Sequence, residues 1–246
     1  MKGVILAGGS GSRLYPLTRV TNKHLLPVYD RPMIYYPIEQ LVGAGIDRIM
    51  IVTGGNHAGE FLRLLGNGAA FGLHHLDYAY QEGVGGIAEA LSLARHFADG
   101  DALAVMLGDN IFEYSVAPIV ARFLEQPRGA RIVLTEVENP TAYGVAVMEA
   151  GRLVRLVEKP PAPPSRLVAT GLYLYDAGVF GLLDGLTPSG RGELEITDLN
   201  NRYLDAGLLE HDVTTGYWAD CGESVAMLLR AGNLVAERGA NKPTIP

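Results

Sequence analysis

The sequence predicts an α/β protein built on a doubly wound, mostly parallel sheet flanked by helices, with a smaller β-rich elaboration in its second half. Residues 3–7 (GVILA) form a short apolar run that stops at Gly8-Gly9, as a strand buried on both faces of a parallel sheet does. Apolar runs and amphipathic stretches then alternate at βαβ spacing, which implies right-handed crossovers and ligands at the carboxyl ends of the strands. Glycine supplies 31 of the 246 residues, about 13% against a typical ~7%, with no collagen period, so the excess marks sharp turns and close backbone approaches.

The elements follow in order. Residues 32–44 carry Ile34, Ile38, Leu41 and Val42 at helical spacing, with Pro32 suited to the start and Gly45 to the stop. Pro37 should kink this helix or delay its start. Residues 47–52 (DRIMIV), 74–81 (HHLDYAYQ) and 102–107 (ALAVML) read as strands, and residues 59–65 and 87–97 as helices. In the second half, 131–137, 144–148, 153–157 and 167–176 read as strands, with a turn at Gly151-Arg152. The proline-rich stretch 160–164 is a stiff surface connection rather than a domain linker, because a strand resumes at once. Helices are expected over 197–206 and 225–238, followed by a tail ending Lys242-Pro243-Thr244-Ile245-Pro246.

A formal net charge of −7 with no cationic run excludes a basic nucleic-acid footprint. The single cysteine, Cys221, cannot form an intrachain disulfide, and no CxxC or zinc spacing occurs, so a cytoplasmic setting is expected. No stretch approaches the ~18 apolar residues of a membrane span. One domain over residues 1–246 is expected.

The loop after the first strand reads Ala7-Gly8-Gly9-Ser10-Gly11-Ser12-Arg13-Leu14, and Asn22-Lys23-His24-Leu25-Leu26-Pro27 follows. A P-loop would require Lys-Ser/Thr after the glycines, which is missing. The dinucleotide fingerprint GxGxxG fits Gly9 and Gly11 but meets Leu14 at its third position, which disfavours an NAD-dependent oxidoreductase although Asp30 sits near the ribose-acid distance. Arg13 and Lys23 suit a triphosphate or a pyrophosphate leaving group, which needs fixed cations.

The string LAGGSGSRLYPLT, followed by NKHLLPVYDRPMIYYPIEQL, resembles the sugar-1-phosphate nucleotidylyltransferases, especially the bacterial glucose-1-phosphate thymidylyltransferases. Further matches run the length of the chain: Tyr80-Gln81 with GGIAEAL from Gly85, LGDN at 107–110, YGV at 143–145, VEKP at 157–160, TGLY at 170–173, RGELEITD at 191–198 and WADCG at 218–222. Each is weak alone; in this order they are specific.

The resemblance implies a Rossmann-like fold whose residues 1–112 bind nucleotide and whose residues 113–246 bind sugar. It implies attack of a sugar-1-phosphate oxygen on the α-phosphorus of dTTP, with UTP as the alternative, and release of pyrophosphate. Such a transfer needs positioning and charge neutralisation, and no protein nucleophile. Leu6, Gly8, Gly9, Ser10, Gly11, Ser12 and Arg13 would cradle the nucleotide phosphates, Lys23 would bridge phosphates in the transition state, and Gln81 and Gly86 would read the pyrimidine. Asp109 and Asp220 would hold Mg²⁺, with Asp109, Arg13 and Lys23 as the catalytic set. Asn110, Tyr143, Gly144, Glu158, Lys159, Thr170, Gly171, Tyr173 and Arg191 would form the sugar-phosphate pocket. Glu193, Glu195 and Asp198 look like a motif that holds the loop in place, His24 is expected to be a packed, hydrogen-bonded group, and Cys221 a small buried one. The family's habit implies a homo-oligomer. Longer members continue past the Trp-x-Asp segment into helices that build a regulatory nucleotide site, and the resemblance does not carry that site onto this chain. A non-catalytic sugar-nucleotide sensor on the same fold is the competing class, and the joint presence of Arg13, Lys23, Asp109 and Asp220 disfavours it.

Overall fold

The apolar run of β1 (Lys2–Ala7) becomes the centre of the sheet because both its faces are covered: Val4 and Leu6 point into one hydrophobic cluster, Ile5 and Ala7 into another. The computed structural model describes residues 1–126 and 128–243, so Thr244, Ile245 and Pro246 of the expected tail lie outside the described residues. After β1 come the two-residue strands β2 (Pro27–Val28) and β3 (Arg31–Pro32), then α1 (Tyr35–Gly43), β4 (Ile49–Gly54), α2 (Ala58–Leu65) and β5 (Leu76–Gln81). Next are α3 (Ile87–Ser92), α4 (Arg95–Ala98), β6 (Leu103–Leu107) and β7 (Asn110–Phe112). The second half adds α5 (Ala117–Glu125), β8 (Ala130–Glu136), β9 (Gly144–Glu149), β10 (Arg152–Glu158) and β11 (Leu167–Tyr175). It ends with α6 (Val179–Leu183), α7 (Ile196–Asp205), β12 (Leu209–Val213), β13 (Trp218–Asp220) and α8 (Val225–Arg238).

Nine strands form one sheet, ordered β10-β9-β11-β6-β1-β4-β5, with β8 on β11 and β12 on β8. The run β6-β1-β4-β5 is parallel, as expected for the first half, and the strands of the second half join it antiparallel through β11. Helices α3, α4, α6 and α7 cover one face and α1, α2 and α5 the other. The neighbours of β1 on its two sides are β4 and β6, so the chain reverses its direction of winding there. That switch point opens a crevice at the carboxyl ends of β1 and β6.

Two elements depart from the sequence reading, and a third carries an irregularity that the sequence did not show. Pro32 lies in the β2–β3 hairpin and does not start a helix; α1 begins at Tyr35, placing Pro37 in the first turn, where its missing N–H breaks no hydrogen bond. The helix expected over 87–97 is two pieces, and the Ser92 hydroxyl donates to the Glu89 carbonyl at 2.7 Å, the local back-bonding that disturbs a helix. Strand β11 changes partners along its length, and its register on β8 shifts between Ala169 and Tyr173. That irregularity falls on Thr170-Gly171, at the mouth of the crevice.

Candidate active site

The crevice is a cavity of about 600 Å³. Its walls contain every residue expected to bind substrate or metal: Leu6, the loop from Gly8 to Arg13, Lys23, Gln81, Gly86, Asp109, Asn110, Tyr143, Gly144, Glu158, Lys159, Thr170, Gly171, Tyr173, Arg191 and Asp220.

The glycine loop leaves β1 at the switch point. Gly11 takes a left-handed φ of 63°, and its carbonyl accepts the Thr18 hydroxyl at 2.9 Å, so the loop folds back on itself. Buried Leu14 anchors it, while Arg13 stays exposed with no hydrogen bond or salt bridge among the described residues. Asn22 then caps a short turn, its Oδ1 accepting from the His24 backbone N–H at 2.9 Å and lying 2.8 Å from His24 Nδ1. This turn directs Lys23 inward, where its Nζ lies 2.5 Å from Asp109 Oδ2.

Asp109 follows β6 and is almost fully buried. Asn110 donates to Asp109 Oδ1 at 3.0 Å and accepts from the Gly171 N–H at 2.8 Å and from Trp218 Nε1 at 2.7 Å, so one amide locks the carboxylate to β11 and β13. Asp220 arrives through the β7–β13 ribbon, in which it pairs with Asn110, and the Cys221 N–H donates to the Asp109 carbonyl at 2.9 Å. Glycine at position 222 lets the backbone pass close to this pair, since a Cβ there would overlap Asp109 Oδ2 and come within 2.9 Å of Lys23 Nζ unless those side chains shifted.

The electrostatics follow from this crowding. Burial raises the Asp109 carboxyl, but the Lys23 charge and the hydrogen bonds from Lys23 and Asn110 outweigh it and hold Asp109 well below the ordinary range. Burial, and next the negative charge of Asp109, push Asp220 up to about 7. Two desolvated carboxylates on one ribbon, of which the second ionises reluctantly by itself, are a donor set that a divalent cation completes together with phosphate oxygens and water. The residues present therefore fit a metal.

Burial, reinforced by Lys23, lowers His24 to about 3 from 6.5, so the folded protein holds it neutral. The unfolded chain binds that proton first, so the stability contributed by neutral His24 is complete above pH 6.5 and is lost as pH falls from 6.5 toward 3. At pH 5 the loss is about 2 kcal/mol. His24→Gln should therefore flatten the fall in urea stability between pH 7 and pH 5 by about that amount. Equal slopes in wild type and variant would remove His24 from the account.

At one side of the cavity, Gln81 Nε2 donates to the Gly86 carbonyl at 3.2 Å and to Glu89 Oε2 at 2.6 Å. Its Oε1 makes no hydrogen bond among the described residues and faces Gly8. On the opposite side, Glu158 accepts from the Thr197 hydroxyl and lies 3.4 Å from Lys159 Nζ and 3.5 Å from Arg191 Nη1. Tyr143 packs edge-on against Trp218, with centroids 5.4 Å apart.

The sequence reading passed over Thr197, Asn200 and Trp218, all of which line the cavity. Glu193 and Glu195 also line it while bracing the loop: Glu193 pairs with Arg191 at 2.6 Å, and Glu195 accepts the Ser189 hydroxyl at 2.7 Å. Asp198 is exposed and lies outside the cavity. The available signal was periodic, because Thr197 and Asn200 lie one turn apart on α7. Cys221 is buried, and burial pushes its thiol well up, as expected of a packing group.

Residues 2–237 match the model of the nucleotidyl transferase family. Glucose-1-phosphate thymidylyltransferases from Actinoplanes sp. and Neisseria meningitidis are each 44% identical, over 92% and 90% of this chain and 77% and 78% of theirs. A crystal structure from Bacillus anthracis, named provisionally as a glucose-1-phosphate thymidylyltransferase and holding sucrose, superposes with a TM-score of 0.91 at 47% identity, over 95% of this chain and 94% of that one. A UDP-glucose pyrophosphorylase with UDP-glucose bound superposes at 0.82 with 25% identity, over 96% of this chain and 98% of that one. On the family model and on these relatives, the chain belongs to the nucleotidyl transferase family.

Proposed function

We propose that the protein is a glucose-1-phosphate thymidylyltransferase, making dTDP-glucose and pyrophosphate from dTTP and glucose 1-phosphate. The observation that carries this reading is the meeting, in one cavity, of the Lys23–Asp109–Asp220 cluster with the unpaired Gln81 amide oxygen and a carboxylate-and-cation group at Glu158, Lys159 and Arg191. A phosphate oxygen of the sugar phosphate, already ionised at pH 7 and needing no general base, attacks the α-phosphorus. The Pα–O–Pβ bond breaks and its electron pair leaves with pyrophosphate. Loop amides from Gly8 to Ser12 and the free guanidinium of Arg13 take up the β and γ charge, and Lys23 neutralises charge at the transferred phosphorus. Lys159 and Arg191 hold the incoming phosphate while Glu158 accepts hydrogen bonds from sugar hydroxyls. Asp109 and Asp220 would hold a divalent cation, Mg²⁺ in this reading, which would supply further charge neutralisation.

The free Gln81 Oε1 is an acceptor, so it suits the imide N–H of thymine or uracil and repels the ring-nitrogen acceptor of cytosine. Thymine and uracil differ by one methyl, worth about 1–3 kcal/mol in discrimination. Pyrophosphate release, measured with Mg²⁺ across the common nucleoside triphosphates and a panel of sugar 1-phosphates, should rank dTTP first, UTP second and CTP far below both. Release with no pair would sink the enzyme reading. A higher rate with UTP would instead favour the uridylyltransferase alternative.

Among the described residues no helix is long and apolar enough to cross a membrane. A cytoplasmic setting accords with the lone buried cysteine. A homo-oligomer belongs to this reading on the family resemblance alone.

A further inference from the structure

Glu113 is a buried carboxylate that the chemistry above leaves unused. It directly follows β7 and is 2% exposed. Its Oε2 accepts from the Tyr217 backbone N–H at 3.0 Å and from Arg238, and its Oε1 accepts from Lys242 Nζ at 2.8 Å. Two cations from beyond the site thus converge on one acid at the foot of the ribbon that carries Asp109 and Asp220. The backbone repeats the arrangement. Asn241 N–H donates to the Phe112 carbonyl at 3.0 Å, Lys242 N–H to Glu113 at 2.9 Å, and Ser115 N–H to Lys242 at 2.7 Å. The Lys242 ammonium also lies 4.8 Å from the Tyr114 ring centroid, and the Tyr217 hydroxyl donates to the Gly239 carbonyl at 2.6 Å.

The ribbon has reason to need this. Strands β7 and β13 are three residues each and form a separate two-stranded sheet. A pair that short is marginal by itself. A slip of one residue would exchange the faces of Asn110 and Asp220 and separate the two aspartates.

We propose that Glu113 is a positioning residue: the Arg238–Glu113–Lys242 clamp fixes the register of β7 on β13 and through it the spacing of the Asp109 and Asp220 carboxylates. The assignment rests on reading those aspartates as the cation site, and its first test needs no cation. Trp218 is the sole tryptophan of the chain and sits in the ribbon, so its emission reports ribbon geometry in the ligand-free protein. In Glu113→Gln, Lys242→Met and Arg238→Met, backbone amide exchange at residues 219–221 should quicken by about tenfold and Trp218 emission should shift. Mg²⁺ alone, titrated against Trp218 fluorescence, should bind about tenfold more weakly. In turnover, the Mg²⁺ concentration for half-maximal rate should rise by a similar factor, while kcat at saturating Mg²⁺ and KM for glucose 1-phosphate stay within about twofold, and Arg238→Lys should recover most of the loss. The Lys242 and Arg238 side chains are 38% and 45% exposed, so their variants decide the matter even if Glu113→Gln does not fold. Unchanged exchange and unchanged Mg²⁺ dependence in the folded Lys242→Met and Arg238→Met proteins would overturn the proposal. Failure of the cation site itself would show separately, as Asp109→Asn binding Mg²⁺ like wild type.

Discussion

Asp109→Asn should lower turnover by about three orders of magnitude while leaving the fold intact. The side chain is nearly isosteric, so the end of β6 keeps its packing, but its single amide oxygen can accept from Asn110 or from Lys23 and not from both. What disappears is a full negative charge at the point where Lys23, Asn110 and the Asp220 ribbon converge. Without it the cation site is left with Asp220 alone, whose carboxyl then loses the neighbouring charge that helps to push it up. Asp220 should consequently titrate lower in the variant. Circular dichroism matching wild type, a lower Tm because Lys23 loses its buried counter-charge, and turnover near background are the expected pattern, and wild-type turnover would show the assignment of Asp109 to be wrong.

Lys23→Met should strike both catalysis and stability. Lys23 and Asp109 are 13% and 7% exposed at their side chains, so the pair is mostly dry. Removing one member of such a pair leaves a buried charge uncompensated, at a cost of about 3–5 kcal/mol. For a chain of this size that corresponds to roughly 10 °C in Tm. The lost ammonium should also lower kcat by about two to three orders of magnitude, because it neutralises phosphate charge that grows in the transition state. Mg²⁺ should raise Tm more in the variant than in wild type, since the orphaned carboxylates then have only the cation as counter-charge. It should not restore turnover. A variant with normal Tm and only a severalfold lower kcat would make Lys23 a bystander.

The parts of this arrangement that were legible in the sequence are those where a local rule is enough. β1 announced itself because burial on both faces demands an unbroken apolar run, and Gly8-Gly9 marked its end. The loop from Gly8 to Arg13 was legible because glycines with cations carry a phosphate-binding chemistry of their own. The ribbon of β7 and β13 was not, because three-residue strands have no periodicity to read, and so the contact of Trp218 with Asn110 was missed. α5 was hidden by Pro118, which reads as a breaker but lies in the first turn, where it is tolerated. β12 was hidden because LEHDV is a half-exposed strand pairing with β8 alone, and the face that carries Leu209 and Val213 is interrupted by His211. Pro32 misled because a proline suits a hairpin strand as well as a helix start. The order of the family motifs supplied what spacing could not, the meeting of Asp109 with Asp220.

The most direct test of the account follows the label in a single turnover with Mg²⁺, glucose 1-phosphate and dTTP radiolabelled at its α-phosphorus. All label should pass to the sugar nucleotide in one step, the pyrophosphate should carry none, and acid quenching should trap no label on the protein. Label in the pyrophosphate, on the protein, or left entirely in dTTP would contradict the account.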